Sequence, residues 1–207
     1  MSGSDQRSPA LCLITNRRLT EVPMEVLAKK VLAAGASYVM LREKDLPSGD
    51  LLVLAGKLAG VTACCGGRLI VNSALEAAVE VGTWGLQLPF ADFLWLRNDR
   101  RLERFKVGVS VHSLQEALTA ENSGADYVLA GHIFPTSCKF GTPGRGLSFI
   151  SDLKNKLSIP VWAVGGILPD NVRSVIQAGA EVVCVMSSLL QSDDPEKMTG
   201  DYLAAMT

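Results

Sequence analysis

The sequence has few of the residues that mark a metal centre or a disulfide framework. Two histidines and five cysteines occur among its 207 residues. Cys64 and Cys65 are adjacent and the other cysteines lie far apart, so neither a zinc-site spacing nor a disulfide pattern is present. An odd number of cysteines without framework spacing favours reduced thiols, which are typical of a cytoplasmic protein.

An excess of charge of either sign is also missing, because the formal net charge is −1. A balanced charge predicts neither a nucleic acid nor a membrane surface as a partner. No apolar run approaches the length needed to span a bilayer. The start of the chain, MSGSDQRSPA, has no long apolar region behind a basic segment, so we expect no signal peptide. These absences predict a cytoplasmic protein without nucleic-acid or membrane partners.

The sequence does contain a large apolar fraction, 48% of its residues, while aromatic residues make up 6%. A chain rich in Ala, Val, Leu and Gly suits an α/β domain. Its length allows one large core and is short for two full domains.

Short apolar segments alternate with segments in which apolar residues recur at helical spacing. The predicted strands cover residues 11–14, 37–41, 68–71, 84–88, 106–109, 126–130, 159–164 and 181–186. The predicted helices cover residues 24–34, 50–64, 75–81, 93–105, 113–123, 147–156 and 170–178. Ser113 and Glu116 have the spacing of a capping box at the start of one of these helices.

Eight successive βα units predict a (β/α)8 TIM barrel. The tripeptides GAS, GAD and GAE at the second, sixth and eighth strands indicate that the unit recurs. We expect one barrel domain over residues 1–207, with residues 1–9 as a flexible N-terminus. The alternative is a doubly wound open sheet, which usually has fewer strands and a glycine-rich fingerprint after the first strand. Here that strand is followed by TNRRLTEVP, without a glycine.

Polar residues stand where the predicted strands end, and active sites of (β/α)8 barrels lie at these carboxyl ends. The residues are Arg42, Glu43, Lys44, Asn72, Ser73, Gln87, Ser110, His112, His132, Lys139, Gly165, Gly166, Ser187 and Ser188. Because hydrophobicity alone places the strands, this coincidence predicts a substrate site. His112 stands just before a helix, where it either caps that helix or lies at the rim.

The loop after the sixth strand, GHIFPTSCKFGTPGRG, concentrates reactive side chains among glycines and prolines. A solvated surface loop could have this composition, but a loop that follows a strand and carries such groups is typical of an active site. We expect His132 to exchange protons with a substrate, because imidazole titrates near neutral pH. We expect Thr136, Cys138 and Lys139 to contact that substrate.

The seventh and eighth strands end in Gly165-Gly166 and Ser187-Ser188. Barrels often bind phosphate at these two loops, through backbone N–H groups and hydroxyl donors. The alternative is that the glycines form a tight turn and Ser187 caps the last helix. Because both loops carry residues that suit a phosphate site, we expect a phosphate group to bind there.

Arg42 and Lys44 stand two residues apart after the second strand, so in extended geometry both side chains point the same way. Two inward cations suit an anionic substrate, and an arginine can bind its carboxylate or phosphate with two hydrogen bonds. The alternative is a surface salt-bridge cluster with Glu43 and Asp45.

The segments LREK, Asn72-Ser73, GADYVLAGHIFPTSCK, PVWAVGGI and VMSS, in this order, resemble the thiamine phosphate synthase superfamily over about residues 13–190. The resemblance implies a (β/α)8 barrel. In the synthase branch, a pyrimidine pyrophosphate is joined to a thiazole phosphate with Mg²⁺. That branch has a metal-binding Asp where this sequence has Ser73, and only Asp92 matches its second metal ligand. A pyrophosphate–Mg²⁺ site needs such oxygen ligands.

The segments SVHSLQEA, GHIFPTSCK and GRGLS are similar to the other branch, the thiazole tautomerases (TenI-like proteins). This resemblance implies that His132 is the acid/base residue, that the substrate is a thiazole carboxylate phosphate, that no metal or other cofactor is needed and that the protein is a homodimer. From their places at the ends of the predicted strands, we expect Asn72, Ser73, Gln87 and Ser110 to contact the substrate. Two alternatives stay open: a synthase-like coupling enzyme with a degraded metal site, and a non-catalytic regulatory barrel that binds thiazole or thiamine phosphate.

Overall fold

A computed structural model describes residues 8–136 and 141–207 of the protein. Eight parallel strands pair in chain order, and β8 pairs with β1, which closes the sheet into a barrel. The strands are β1 (Ala10–Ile14), β2 (Tyr38–Leu41), β3 (Arg68–Asn72), β4 (Gly85–Pro89), β5 (Lys106–Val111), β6 (Tyr127–Gly131), β7 (Val161–Val164) and β8 (Val182–Val185). This closed barrel confirms the predicted fold and excludes the doubly wound sheet.

Helices follow the strands around the outside of the barrel. They are α1 (Met24–Ala33), α2 (Ser48–Cys65), α3 (Leu75–Val81), α4 (Phe90–Leu96), α5 (Leu114–Asn122), α6 (Gly146–Lys156), α7 (Val172–Gln177), α8 (Ser187–Leu190) and α9 (Pro195–Met206). The predicted terminal segment, residues 1–9, lies largely outside the described residues. The prediction of one domain over residues 1–207 stays a prediction.

Side chains of the strands alternate between two apolar layers, because successive residues of a strand point to opposite sides. Leu11, Leu13 and Val39 lie between the strands and the helices, whereas Cys12 and Ile14 lie inside the barrel. Both layers are buried, which explains why the strands are nearly continuous apolar runs in the sequence.

Aromatic side chains fill the N-terminal end of the barrel. The rings of Tyr127 and Trp162 stack with their centroids 4.0 Å apart, and Tyr38 lies 4.8 Å from Trp162 and 5.3 Å from Trp84. The guanidinium of Arg68 lies over the Trp84 ring at 5.2 Å. Because this end is packed, the site can open only at the other end, where the strands finish.

The predicted helix over residues 93–105 is wrong in its extent. Helix α4 begins at Phe90 and ends at Leu96, and a separate 3-10 helix covers Arg100–Arg104. Asp99 causes the break, because its carboxylate accepts a hydrogen bond from the backbone N–H of Arg101 at 2.9 Å and holds the guanidinium of that residue at 2.6 Å. A carboxylate that caps a new helical turn competes with continuation of the previous one.

Helix α2, with 18 residues and a mean hydropathy of 1.3, is long and apolar enough to cross a membrane by length and composition alone. This corrects the sequence-based statement that no segment approaches that length. In the barrel it is an outer helix that packs against α1 and α3, with Ala55, Leu58 and Thr62 buried against the core. Core helices of soluble proteins pass the same test, so a single such helix gives only weak support for a membrane span.

The C-terminal helix α9 was not placed by the sequence patterns. Its start has a clear local cause, because the Asp194 carboxylate accepts a hydrogen bond from the Lys197 N–H at 2.9 Å and Pro195 occupies the first turn. Tyr202 on this helix is fully buried. The helix thereby brings a polar side chain from the end of the sequence to the carboxyl ends of β7 and β8.

Candidate active site

A pocket of about 400 Å³ lies at the carboxyl ends of the strands. Its lining includes nine of the residues expected from the sequence to form a site: Arg42, Asn72, Ser110, His132, Thr136, Gly165, Gly166, Ser187 and Ser188. Lys44, Ser73 and Gln87 do not line it. Cys138 and Lys139 lie outside the described residues.

His132 follows β6 directly and is only 5% exposed, and the peptide bond between Gly131 and His132 is cis. The Nε2 atom of its ring lies 3.2 Å from the carbonyl oxygen of Thr142. Because a carbonyl can only accept, Nε2 carries the proton and donates in this contact. In the neutral ring Nδ1 then holds the free electron pair, and this buried atom has no hydrogen-bond partner among the described residues. Nδ1 is therefore the ring nitrogen that is left to accept a proton.

The backbone around His132 is fixed by hydrogen bonds from both sides. The N–H of Ile133 donates to the carbonyl of Val164 on β7 at 3.0 Å, and the N–H of Arg145 donates to the carbonyl of His132 at 2.9 Å. The Nε of Arg145 also donates to the carbonyl of Gly131 at 3.0 Å. These bonds tie both sides of the loop to the barrel, so the ring is held in place although it belongs to a loop.

Gly165 and Gly166 pack against the His132 segment as well as lining the pocket. Both have positive φ angles, 104° and 65°, which favour glycine. A Cβ atom at Gly165 would collide with the Cβ of His132, and one at Gly166 would lie 2.6 Å from the carbonyl oxygen of Pro135. The tight-turn interpretation and the anion-binding interpretation therefore do not exclude each other, because the same turn lines the pocket and supports the histidine.

The expectation that Arg42 and Lys44 point the same way is not met. Strand β2 ends at Leu41, so the two-residue alternation of a strand does not extend through residues 42–44. Arg42 lines the pocket, and its backbone N–H donates to the hydroxyl of Thr15 at 2.9 Å. Lys44 is exposed. Among the described residues that line the pocket, Arg42 is the one lysine or arginine.

A salt-bridge cluster around Glu43 and Asp45, the alternative considered from the sequence, does form. Its cations are Arg17 and Arg18. Arg17 and Arg18 both reach Asp45 at 2.7 Å, and the guanidinium of Arg17 lowers the pKa of that carboxyl to about 2. The carboxylate of Glu43 is buried and accepts the backbone N–H of Arg17 at 3.1 Å. This cluster joins the loops after β1 and β2 and leaves Arg42 on the pocket side.

The ends of β3, β4 and β5 contribute neutral polar groups. The amide of Asn72 donates to the hydroxyl of Ser73 at 2.9 Å. Gln87 is fully buried below the pocket, and its amide donates to the hydroxyl of Ser110 at 3.0 Å. Since Ser110 accepts from Gln87, its own hydroxyl hydrogen can donate to a bound molecule. Ser73 has a φ of 64° and is exposed.

The residues present do not fit a pyrophosphate–Mg²⁺ site. No Asp or Glu occurs among the described residues that line the pocket. Asp92, the one matching carboxylate, lies in the first turn of α4, is exposed and does not line the pocket. Magnesium prefers carboxylate oxygens in such sites. Among the described residues, the polar side chains of this pocket are instead one guanidinium, two imidazoles, amides and hydroxyls.

Two groups of site residues have little signal in the sequence. Ile14, Met40, Leu129 and Cys184 form the apolar floor of the pocket, and strand alternation could have found them once the closed barrel was known. Tyr202 supports the loops after β7 and β8 through its hydroxyl. It lies 14 residues after Ser188 in the sequence, and no local pattern marks it.

His112 lies at the rim of the pocket, with its side chain 43% exposed. Its backbone N–H donates to the carboxylate of Glu116 at 2.6 Å, while Ser113 accepts the N–H of Glu116 at 3.1 Å. This is the predicted capping box, extended by one residue. The position of His112 is thus set by the start of α5.

Comparisons with known proteins give a consistent result. The family model TMP-TENI, described as thiamine monophosphate synthase, matches residues 11–189. The thiamine-phosphate synthase of Pyrococcus horikoshii is 33% identical over 190 residues, 91% of this chain and 90% of the relative. That of Chlorobium limicola is 36% identical over 192 residues, with the same coverage. The solved thiamine phosphate pyrophosphorylase of Pyrococcus furiosus superposes with a TM-score of 0.84 at 29% identity, covering 97% of this chain and 96% of that one.

Proposed function

Because the chain belongs to the thiamine monophosphate synthase family, we propose that it acts in thiamine biosynthesis as a thiazole tautomerase, an isomerase of a thiazole carboxylate phosphate. The observation that carries this proposal is His132, with Nδ1 buried and without a hydrogen-bond partner among the described residues. The pocket around it has no carboxylate among the described residues. Such a pocket is suited to moving a proton on a bound anion and poorly suited to a metal-bound pyrophosphate.

The reaction is a proton shift that makes the thiazole ring aromatic. Nδ1 of neutral His132 takes the proton from the ring carbon beside the carboxylate. The imidazolium then returns a proton to the exocyclic carbon, so the ring of His132 ends as it began and no atom is gained or lost. Nε2 stays bound to the Thr142 carbonyl throughout, which keeps the imidazole in one orientation.

The charges of the substrate are held on two sides of His132. Arg42 binds the carboxylate and stabilises the negative charge that develops when the ring proton leaves. The backbone N–H groups after β7 and β8, with the hydroxyl of Ser187, bind the phosphate. Fixing both ends of the molecule places the reacting carbon at the imidazole, which is where positioning contributes to the rate.

A second candidate is a thiamine-phosphate synthase, and the comparisons favour it. The relatives reported above are named as synthases at 33% and 36% identity. In this reading a pyrimidine pyrophosphate would bind on the side of Asn72 and Ser110. Against it stand Ser73 and the exposed Asp92, because they leave that side without converging carboxylates among the described residues. A regulatory barrel that binds thiazole or thiamine phosphate without turnover is the third candidate.

Two assays separate these candidates. The first follows aromatisation of the thiazole carboxylate phosphate tautomer in the presence of a metal chelator. The second follows thiamine phosphate formation from both coupling substrates with Mg²⁺. We expect turnover in the first assay only. Coupling at about 1 per second or faster would refute the proposal in favour of a synthase, and tight binding without turnover in either assay would favour a regulatory barrel.

The proposal also covers the setting of the protein. We propose a cytoplasmic homodimer that acts on a small molecule, without a nucleic-acid or membrane partner. Light scattering on the purified protein tests the dimer, and a mass of one chain at micromolar concentration would refute it.

A further inference from the structure

We infer that Tyr202 is a positioning residue for the proposed phosphate site, and that it takes the hydroxyl of Ser188 out of phosphate binding and leaves Ser187 as the hydroxyl donor. The inference rests on the proposed function, because it concerns the anion site of that pocket. It adds a residue from the C-terminal helix that lines no part of the pocket itself.

One phenol hydroxyl joins the two loops of the anion site. The hydroxyl of Tyr202 lies 2.8 Å from the carbonyl oxygen of Ile167, in the loop after β7. It lies 2.8 Å from the Oγ of Ser188, in the turn after β8. Ile167 directly follows Gly165-Gly166, and Ser188 directly follows Ser187. Each half of the anion site is therefore tied to the same oxygen atom.

The number of protons fixes the direction of both bonds. A phenol has one hydrogen, and the carbonyl of Ile167 can only accept, so Tyr202 donates to Ile167. The hydroxyl of Ser188 must then donate to the oxygen of Tyr202. A phosphate oxygen needs a donor, and the one hydrogen of the Ser188 hydroxyl is already used. Ser187 has no such partner among the described residues, so its hydroxyl is the one that can reach the phosphate.

The surroundings keep Tyr202 in this role. The side chain is fully buried, and burial raises its pKa to about 12, so the hydroxyl stays protonated at neutral pH. The ring packs in the apolar layer between helices and strands. Because the phenol is rigid, it sets the distance between the two loops in a way that flexible side chains cannot.

Tyr202→Phe tests the inference, because it removes the hydroxyl and keeps the ring. The expected result is binding of inorganic phosphate and of thiazole phosphate that is weaker by about three- to tenfold, the effect of losing a hydrogen bond that orders the site. The KM of the substrate should rise by the same factor, while kcat at saturation stays within about twofold, because His132 is untouched.

Thr199→Val is the matched control. Thr199 lies on the same helix, is fully buried and donates its hydroxyl to the carbonyl of Pro195 at 2.7 Å, away from both loops. Like Tyr202→Phe, this variant removes one buried hydroxyl, and we expect both variants to lower the melting temperature. Thr199→Val should leave the phosphate affinity and the KM unchanged. If it weakens phosphate binding as much as Tyr202→Phe, the effect is general loosening of the helix and the inference is wrong.

Ser188→Ala removes the other partner of the hydrogen bond between Ser188 and Tyr202. It replaces Tyr202→Phe as the test variant if Tyr202→Phe does not fold. It should weaken phosphate binding by a similar factor, and the double variant with Tyr202→Phe should be no weaker than either single variant. Ser187→Ala should add to Tyr202→Phe. Phosphate affinity equal to the parent in both Tyr202→Phe and Ser188→Ala would overturn the inference while leaving the proposed function intact.

The two proposals can fail separately. A parent protein that binds inorganic phosphate, shows the loss in Tyr202→Phe and yet does not aromatise the thiazole would refute the tautomerase and support the role of Tyr202. A parent protein that binds neither inorganic phosphate nor thiazole phosphate would refute both.

Discussion

The two sides of the pocket are built differently, although both consist of strand ends of one barrel. The histidine–phosphate side, formed by His132, Gly165, Gly166 and Ser187, is held by backbone hydrogen bonds and by glycines packed on the histidine. The amide side, formed by Asn72 and Ser110 with the buried Gln87 beneath Ser110, carries neutral groups.

Under the proposed function, the chemistry belongs to one half of the site. A coupling enzyme needs both halves, one for thiazole phosphate and one for a metal-bound pyrophosphate. Here one half can hold an anion and move a proton, while the other has no carboxylate among the described residues that line it. Barrels tolerate such changes, because each loop can vary while the strands that carry it stay the same.

The largest expected effect concerns His132 on the histidine–phosphate side. His132→Asn should reduce aromatisation by about a hundredfold or more, the usual contribution of a general acid–base group. The affinity for thiazole phosphate should stay close to that of the parent, because Arg42 and the phosphate loops are unchanged. Kinetics and a binding titration measure the two quantities.

His112→Asn is the control for this prediction, since His112 also lines the pocket but is held at the rim by the start of α5. We expect a change of about twofold or less. A His112→Asn protein that loses activity while His132→Asn retains it would contradict the assignment.

The second effect concerns Gly165, which connects the phosphate loop to the histidine. Gly165→Ala requires an unfavourable positive φ and a collision with the Cβ of His132, so it should cost more than about 2 kcal/mol of stability. A displacement of the imidazole should also reduce turnover, by about tenfold to a hundredfold. Denaturant unfolding and initial rates measure both.

Gly82→Ala isolates the backbone contribution. Gly82 also has a positive φ, 68°, but an added Cβ would meet no atom within 4 Å. It should cost about 1 kcal/mol and leave turnover unchanged. If Gly165→Ala and Gly82→Ala have equal stability and equal turnover, the packing of Gly165 on His132 contributes neither to stability nor to turnover.

The third effect compares Arg42 with Lys44. Arg42→Gln should raise the KM of the substrate by about tenfold to a hundredfold, because a charge-assisted hydrogen bond to the carboxylate is lost. Lys44→Gln should change KM by less than about twofold, because Lys44 is exposed and does not line the pocket. The reverse order of effects would mean that the loop after β2 rearranges when substrate binds.

The smallest expected effect is that of metal removal, which addresses the amide side. A chelator should change aromatisation by less than about twofold, since the described residues that line the pocket offer no carboxylate pair for Mg²⁺. The control is an assay with added Mg²⁺. A rate that depends steeply on Mg²⁺ would show that this half of the site still binds metal.

Much of this comparison could be predicted from the sequence, because the barrel places every strand end at the same edge. Hydrophobic runs located the strands, and residues such as Arg42, Ser110 and His132 follow from them. The end of β2 shows the limit of this reasoning. Alternation stops where the strand stops, so the different surroundings of Arg42, which lines the pocket, and Lys44, which is exposed, could not be read from their spacing.

Gln87 and Tyr202 could not be placed for other reasons. Gln87 stands at a strand end in the sequence, yet it faces the barrel interior below Ser110, because β4 extends to Pro89. Tyr202 reaches the site only through the packing of α9 on the barrel, which is a contact between distant parts of the chain. The break at Asp99 depends on a capping contact that competes with the helical pattern around it.

The central claim is that one imidazole both removes and returns the proton. The most direct test uses thiazole carboxylate phosphate tautomer that carries deuterium on the ring carbon beside the carboxylate, turned over in ordinary water. The product is then examined by NMR. The account predicts that a measurable fraction of the aromatic product carries deuterium on the exocyclic carbon, delivered by His132. Aromatic product without any deuterium at that carbon would contradict the return of the abstracted proton by the same imidazole.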